Sequence, residues 1–261
     1  MGFKPISETS FFNKGLDYNS KLSSNFKTMY ENIVYEKYKQ SEESKPSQTF
    51  APSSFRCNRL SFFRLRGIDP DPVTSIDIPL EFSAMIGTAC HREIQHNLKY
   101  NIGKQWIDVP EYLQIHKISH EYSINNCSEF ETQLEFFNPP VKFSCDGLIQ
   151  IGDCIYLLEI KTCDSNSFKN LSGPKPQHID QIKCYCSLLE INDAIVLYQD
   201  RAYGNIKCFE IKVSQSEMDE IFKRMEYVLD CVKSNIAPPG LDKSDYWCTY
   251  CKYKNRCKQW G

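Results

Sequence analysis

The stretch KFSCDGLIQIGDCIYLLEIKTC, residues 142–163, sets one Asp, one Glu and one Lys into two otherwise apolar runs. Gly152-Asp153 between the runs is a turn dipeptide, and a two-residue turn there puts Ile151 opposite Cys154. Asp146 then falls directly opposite Glu159. Because side chains alternate along a strand, Asp146, Glu159 and Lys161 share one face with Ser144, Leu148, Gln150, Ile155 and Leu157. The other face, from Cys145 and Gly147 to Leu158 and Ile160, is apolar or small. Two facing carboxylates repel, and near a protein surface unit charges about 4 Å apart interact by roughly 4 kcal/mol. A divalent cation between them removes that penalty; so does exposure at a solvated hairpin end. With a cation, the site could lower the pKa of bound water and stabilise charge on a phosphate. At an exposed end it would do nothing chemical.

Three further patterns bear on that choice. QIKCY places Gln181 and Tyr185 at i, i+4 on one helical face, with His178 one turn earlier. Ile179, Ile182, Cys186 and Leu189 form the opposite, apolar stripe. GTACH gives Gly87 and His91, which share a helical face with Ala84, Ile94 and Leu98. HEYSI adds Glu121 on a strand-like run. Thirteen cysteines, an odd number, do not suit a disulfide framework. Three of them cluster in WCTYCKYKNRC: Cys248, Cys251 and Cys257, spaced C-x2-C-x5-C. Three thiolates are one short of a tetrahedral set, and the fourth is best sought at Cys57. By themselves these cysteines fit a zinc knuckle, or free thiols.

The Asp…Glu-x-Lys hairpin, the Gln-x-x-x-Tyr helix after it and the Gly-x-x-x-His helix before it resemble the PD-(D/E)XK nuclease superfamily, in its RecB-like branch. Cys57 with the C-x2-C-x5-C tail resembles the iron–sulfur members, such as the AddB nuclease domain and the CRISPR-associated RecB-like exonucleases. The resemblance covers residues 55–260 and implies an α/β fold: a restriction-endonuclease-like core whose mixed central sheet is flanked by helices. An iron–sulfur domain would join the N- and C-terminal segments. It implies Asp146, Glu159 and Lys161 as catalytic residues, assisted by Gln181 and Tyr185. His91, Asp146, Glu159 and Ile160 would hold Mg²⁺ or Mn²⁺, imidazole ligation favouring Mn²⁺. Cys57, Cys248, Cys251 and Cys257 would hold a four-iron four-sulfur cluster. Glu121 and His178 are further candidates. The chain departs from the pattern at Cys145, where Pro usually precedes the Asp, and at Asn58, where Pro usually follows the first Cys.

The implied function is metal-dependent hydrolysis of DNA, exonucleolytic on single strands or ends and of 5′→3′ polarity. Recombination and repair, CRISPR adaptation and phage DNA metabolism are the settings, with a protein partner in a recombination or CRISPR complex. The alternative from another class is a non-catalytic iron–sulfur or zinc subunit that binds nucleic acid within an assembly.

The elements that must position these residues are legible as periodicities. Helical spacing predicts helices over 25–40, 55–67, 79–101, 173–191 and 215–235. Strand-like runs cover 118–124, 130–137, 142–151, 154–162, 193–200 and 206–213. We divide the chain into an N-terminal extension (1–54), a nuclease core (55–236) and a C-terminal cluster segment (237–261). The composition, 41% hydrophobic and 25% charged over 261 residues, is that of a globular protein with a sizeable core. A net charge of −2 requires any nucleic-acid affinity to come from local patches. The best such patch joins Arg56, Arg59, Arg64 and Arg66 to the lysines and aromatics of the tail. The first residues, MGFKPISETS, hold no apolar signal core, Ile6 breaks the myristoylation pattern, and no run is long enough for a membrane span. A cytoplasmic location, or the host cytoplasm for a viral protein, is therefore expected.

Overall fold

The computed structural model describes residues 21–42, 46–72, 77–127 and 131–260. The first twenty residues of the expected extension lie outside them. Helix α1 (Lys21–Glu42) leads to a 3-10 turn and α2 (Asn58–Leu65), then to the long α3 (Ile78–Asn101). A two-residue strand β1 (Trp106–Ile107) and α4 (Val109–His116) follow; neither was legible in the sequence. Strands β2 (Tyr122–Cys127), β3 (Thr132–Phe137) and β4 (Pro140–Cys145) form an antiparallel sheet. Strands β5 (Gly147–Ile151), β6 (Cys154–Cys163), β7 (Asp193–Asp200) and β8 (Ile206–Lys212) join β1 in a five-stranded mixed sheet, ordered β1-β5-β6-β7-β8. Between β6 and β7 lie α5 (Ser165–Lys169) and α6 (Pro176–Leu189). After β8 come α7 (Gln215–Ser234), a 3-10 turn and α8 (Lys254–Gln259).

The hairpin register is the expected one. Ile151 pairs with Cys154, and the ladder runs without a slip to Gly147 opposite Leu158. Gly152 supplies the positive φ, +61°, that the two-residue turn needs. One expectation is corrected. Residues 142–151 are not one strand: the chain leaves the three-stranded sheet after Cys145 and enters the five-stranded sheet at Gly147. Asp146 is the single residue at the break.

Helices cover both faces of the larger sheet, which is why β6 reads as a nearly continuous apolar run. On one face Ile149, Leu158 and Ile160 pack with Ile94 and Leu98 of α3 and with Trp106. On the other, Leu148, Leu157, Ala194 and Val196 join the main core with residues of α6 and α7. A complete capping box at Ser214 and Glu217 starts α7. Phe50, which the expected boundaries put in the extension, is fully buried and bridges to Val141 of β4. No helix among the described residues is long and apolar enough to cross a membrane.

Gly147 is required for close approach rather than for an unusual φ. A Cβ there would stand 2.5 Å from the Trp106 ring, which closes the α3 side of the sheet. Gly147→Ala should therefore destabilise the fold by about 1–3 kcal/mol, the usual range for forced overpacking. The check is the urea midpoint; an unchanged midpoint would show that the ring moves aside freely.

Candidate active site

Asp146 sits where the β5 ladder stops, and three groups hold it. Its Oδ2 accepts from the Ile160 backbone N–H at 2.6 Å. Its main-chain oxygen accepts from Gln95 Nε2 at 2.8 Å. His91 Nδ1 lies 3.6 Å from its Oδ1. His91 and Gln95 stand four residues apart on α3, so one helix approaches Asp146 with an imidazole and fixes it with an amide. Gly87, a turn before His91, lets α3 come close to β6: a Cβ there would be 3.0 Å from Thr162 Oγ1.

Glu159 and Lys161 project from the face of β6 opposite to Ile160, toward α6. The Lys161 ammonium sits on Glu159 Oε1 and also donates to Gln181 Oε1 at 3.1 Å. Gln181 Nε2 donates to the Tyr185 hydroxyl at 2.8 Å, and the Tyr185 ring stacks on Phe143 of β4. The expected pair on α6 thus forms a relay ending on Lys161, buried rather than open to solvent. Glu159 is only 2% exposed. Burial, and then the Asp146 carboxylate, push its pKa up to about 7 against the opposing pull of Lys161. The exposed-hairpin alternative for the charged trio is therefore excluded.

The other expected residues fall as follows. The Ile160 side chain is buried in the α3-side cluster, leaving only its main chain for any ligand role. In a strand the N–H and C=O of one residue face the same edge, so the Ile160 carbonyl faces the Asp146 side. His178 lies on α6 with its Nδ1 2.6 Å from the Tyr198 hydroxyl. Glu121 does not reach the site. It precedes β2 at the end of the sheet where Tyr122 pairs with Phe136, whereas Thr132 pairs with Cys145 beside Asp146 at the far end, roughly 15–20 Å along the ladder. Extending the β3–β4 register one step instead sets Glu131 opposite Asp146. The pKa of Glu131 is raised, first by burial and then by Asp146, with His91 opposing. Sequence reasoning missed Glu131 and Gln95. The i, i+4 step from His91 pointed to Gln95, and the register of the 132–145 hairpin pointed to Glu131.

Cys57, Cys248, Cys251 and Cys257 line one cavity of about 390 Å³, with Arg59, Gly240 and Tyr253 among its walls. None of the four is in a disulfide. The expected arginine surface is corrected in part: Arg64 donates to Ser47 and Arg66 stays exposed, while the others tie the chain's two ends together. Arg56 pairs with Asp245 at 2.9 Å, Arg59 Nε donates to Pro238 O at 2.8 Å, and Arg66 bonds Asn235. Asp71 accepts from the backbone N–H groups of Asn255 and Arg256, and Trp260 packs edge-on against Phe62 and Phe63. Among the described residues, no three His, Cys, Asp or Glu side chains are drawn together tightly enough to hold a metal ion as they stand.

The sequence matches no family model and no curated protein. In structure the chain is similar to SSO0001, with a TM-score of 0.50 and 16% identity over 86% of this chain and 94% of that one. That likeness shows a shared fold. A weaker likeness joins it to LHK-Exo, an alkaline exonuclease from Laribacter hongkongensis, with a TM-score of 0.36 and 16% identity over 73% of this chain and 90% of that one. The complex of LHK-Exo with dAMP gives 0.37 and 14% over 72% and 89%. Scores at that level do not establish a relationship.

A carboxyl whose folded pKa is raised favours folding in its protonated form. The penalty for ionising Glu159 is absent below the ordinary carboxylate pKa near 4.5 and is fully present above about 7. With EDTA present, the stability of Glu159→Gln relative to wild type should rise as pH goes from 4.5 to 8. Thermal melts at the two pH values measure this; a difference that does not change with pH would rule out the raised pKa.

Proposed function

We propose that this chain is a divalent-metal-dependent DNA nuclease of the PD-(D/E)XK type. The observation that carries the reading is the meeting of Asp146, Glu159 and Lys161 at the end of the β5–β6 ladder, with His91 beside the first and Gln181 on the last. Carboxylate oxygens and one imidazole are the donor set that Mg²⁺ or Mn²⁺ accepts. His91, Asp146, Glu159 and the Ile160 carbonyl would hold the ion, and Glu131 stands close enough to add charge to the site. Such an ion, when bound, lowers the pKa of water and offsets charge on a scissile phosphate. The chain's own groups do the rest. Asp146 is oriented by Ile160 and Gln95, and Lys161 is aimed by Gln181 and Tyr185 so that its ammonium can meet the water or a phosphate oxygen.

The reading includes exonucleolytic cleavage of single strands or DNA ends, to which the family resemblance adds 5′→3′ polarity. With Arg56 and Arg59 engaged by the tail, the DNA-facing cations are the tail lysines and the exposed Arg66. Lys243, Lys254 and Lys258 line the cysteine cavity, and Tyr246 and Tyr250 are exposed nearby for stacking. The four thiols of that cavity fit a tetrathiolate group, either the four-iron four-sulfur cluster or zinc. We favour the cluster, in a structural role: its ligands come from α2's N-terminal edge and the tail, far apart in sequence, so it would close a very long loop.

Two experiments test these assignments. On end-labelled single-stranded DNA with Mn²⁺, Asp146→Ala should abolish cleavage, and Lys161→Ala should lower turnover by orders of magnitude with DNA affinity nearly unchanged. Wild-type rates in Asp146→Ala would sink the reading, and equal losses of turnover and affinity in Lys161→Ala would reassign that residue to binding. Purified protein should be brown with broad visible absorbance, and Cys57→Ser should lose the colour and much of the stability. A colourless, stably folded protein containing stoichiometric zinc would refute the iron–sulfur assignment but not the carboxylate site.

A further inference from the structure

Beside Lys161 lies a group that the proposed chemistry does not use. Tyr198 is the cross-strand neighbour of Lys161 in the parallel β6–β7 pair, and it is 1% exposed. Its hydroxyl accepts from the Lys175 backbone N–H at 3.0 Å and stands 2.6 Å from His178 Nδ1. A backbone N–H can only donate, so the phenol oxygen is the acceptor in the first bond. Among the described residues, the phenol's own proton has His178 Nδ1 as its one partner. Pairing that proton with Nδ1 assigns Nδ1 as the acceptor and puts the ring proton on Nε2.

The surroundings keep that ring neutral. Burial, and then the Lys161 and Lys175 cations, lower the His178 pKa to about 3. His178 shares the α6 face that carries Gln181 and Tyr185, one turn before the glutamine that holds Lys161. The His178 residue is partly exposed, and Nε2 is neither buried nor bonded to any described residue. The result is a fixed, neutral N–H donor one turn before Gln181 on α6, bonded to the strand neighbour of Lys161.

We propose that His178 is a substrate-binding residue, whose Nε2–H, held as the donor by Tyr198, hydrogen-bonds a non-bridging phosphate oxygen of the DNA strand next to Lys161. This assignment rests on the nuclease reading of the same site. Helix α6 then serves the site twice, since Gln181 aims the lysine and His178 registers the strand against it. A neutral donor suits a position already crowded with positive charge, because it adds a directional contact without a further cation.

The test measures equilibrium binding of a single-stranded oligonucleotide in EDTA, by fluorescence anisotropy. The strand is used unmodified and with one methylphosphonate placed at successive positions. His178→Phe keeps the ring and removes both nitrogens, and His178→Gln restores an N–H near the Nε2 position. Loss of one neutral hydrogen bond should weaken His178→Phe binding about fivefold to tenfold. His178→Gln should regain most of that loss. At one position the methylphosphonate should weaken wild type by a similar factor and His178→Phe no further. Affinity in His178→Phe equal to wild type, or additive losses at every position, would overturn the assignment. In ¹⁵N-labelled wild type, the His178 ring should show a protonated Nε2 and an unprotonated Nδ1 from pH 5 to 8; a protonated Nδ1 would overturn it as well. A wild type that binds DNA without cleaving it in Mn²⁺ would defeat the nuclease reading, and the methylphosphonate cycle would still decide His178.

Discussion

The backbone N–H of Ile160 governs the geometry of this molecule. Ile160 is fully buried, and the β5 ladder that should serve its N–H ends two residue pairs earlier, at Gly147 and Leu158. A buried amide without an acceptor costs about 1–3 kcal/mol. The acceptor is Asp146 Oδ2, from the residue at which the chain crosses between sheets. One carboxylate oxygen thus completes a ladder that the backbone abandons, and the other is left facing His91. Among the described residues, the same break leaves the Ile160 carbonyl without a strand partner on that edge. The architecture and the candidate metal site both arise where that ladder is abandoned.

Glu159 and Lys161 depend on that break in a different way. They lie on the central strand of the larger sheet, between helices, where charge is expensive unless paired. Each side chain there is answered by another: Glu159 by Lys161, Lys161 by Gln181, Gln181 by Tyr185. Repulsion from Asp146 keeps the system poised, since it raises the proton affinity of Glu159 against the pull of Lys161. A site built in this way is positioned by rigid elements on every side, which fixes its groups for any chemistry that depends on orientation.

The two ends of the chain are joined by a separate set of forces. Arg56, Arg59 and Arg224 carry charge-assisted bonds from the segment around Cys57 to the tail and to α7, and Arg224 also lies over the Phe55 ring. These guanidinium groups bring the four cysteines to one cavity with polar contacts spanning most of the sequence. Basic clustering in a sequence is often taken as a nucleic-acid footprint. Here the forked, multidentate arginines serve cohesion, and the lysines are left at the surface, in keeping with the different hydration of the two side chains.

The features the sequence determined by itself are those governed by local physics. Helical periodicity located α3, α6 and α7, the Gly-Asp dipeptide set the hairpin register, and i, i+4 spacing put Gln181 and Tyr185 on one face. Carried one step past its last pair, that register sets Asp146 toward Glu159. What only the tertiary structure decided depends on groups far apart along the chain competing for the same partner. Nothing in KFSCDGLIQI says that β4 and β5 belong to different sheets, because either half satisfies the same alternation. Glu131 rather than Glu121 reaches Asp146 because the β3–β4 pairing brings one end of β3, and not the other, to the break. The arginines around Cys57 could have faced solvent or the tail. Acceptors such as Asp245 and the Pro238 carbonyl claimed them, and a donor's choice among distant acceptors is settled only when the chain has folded.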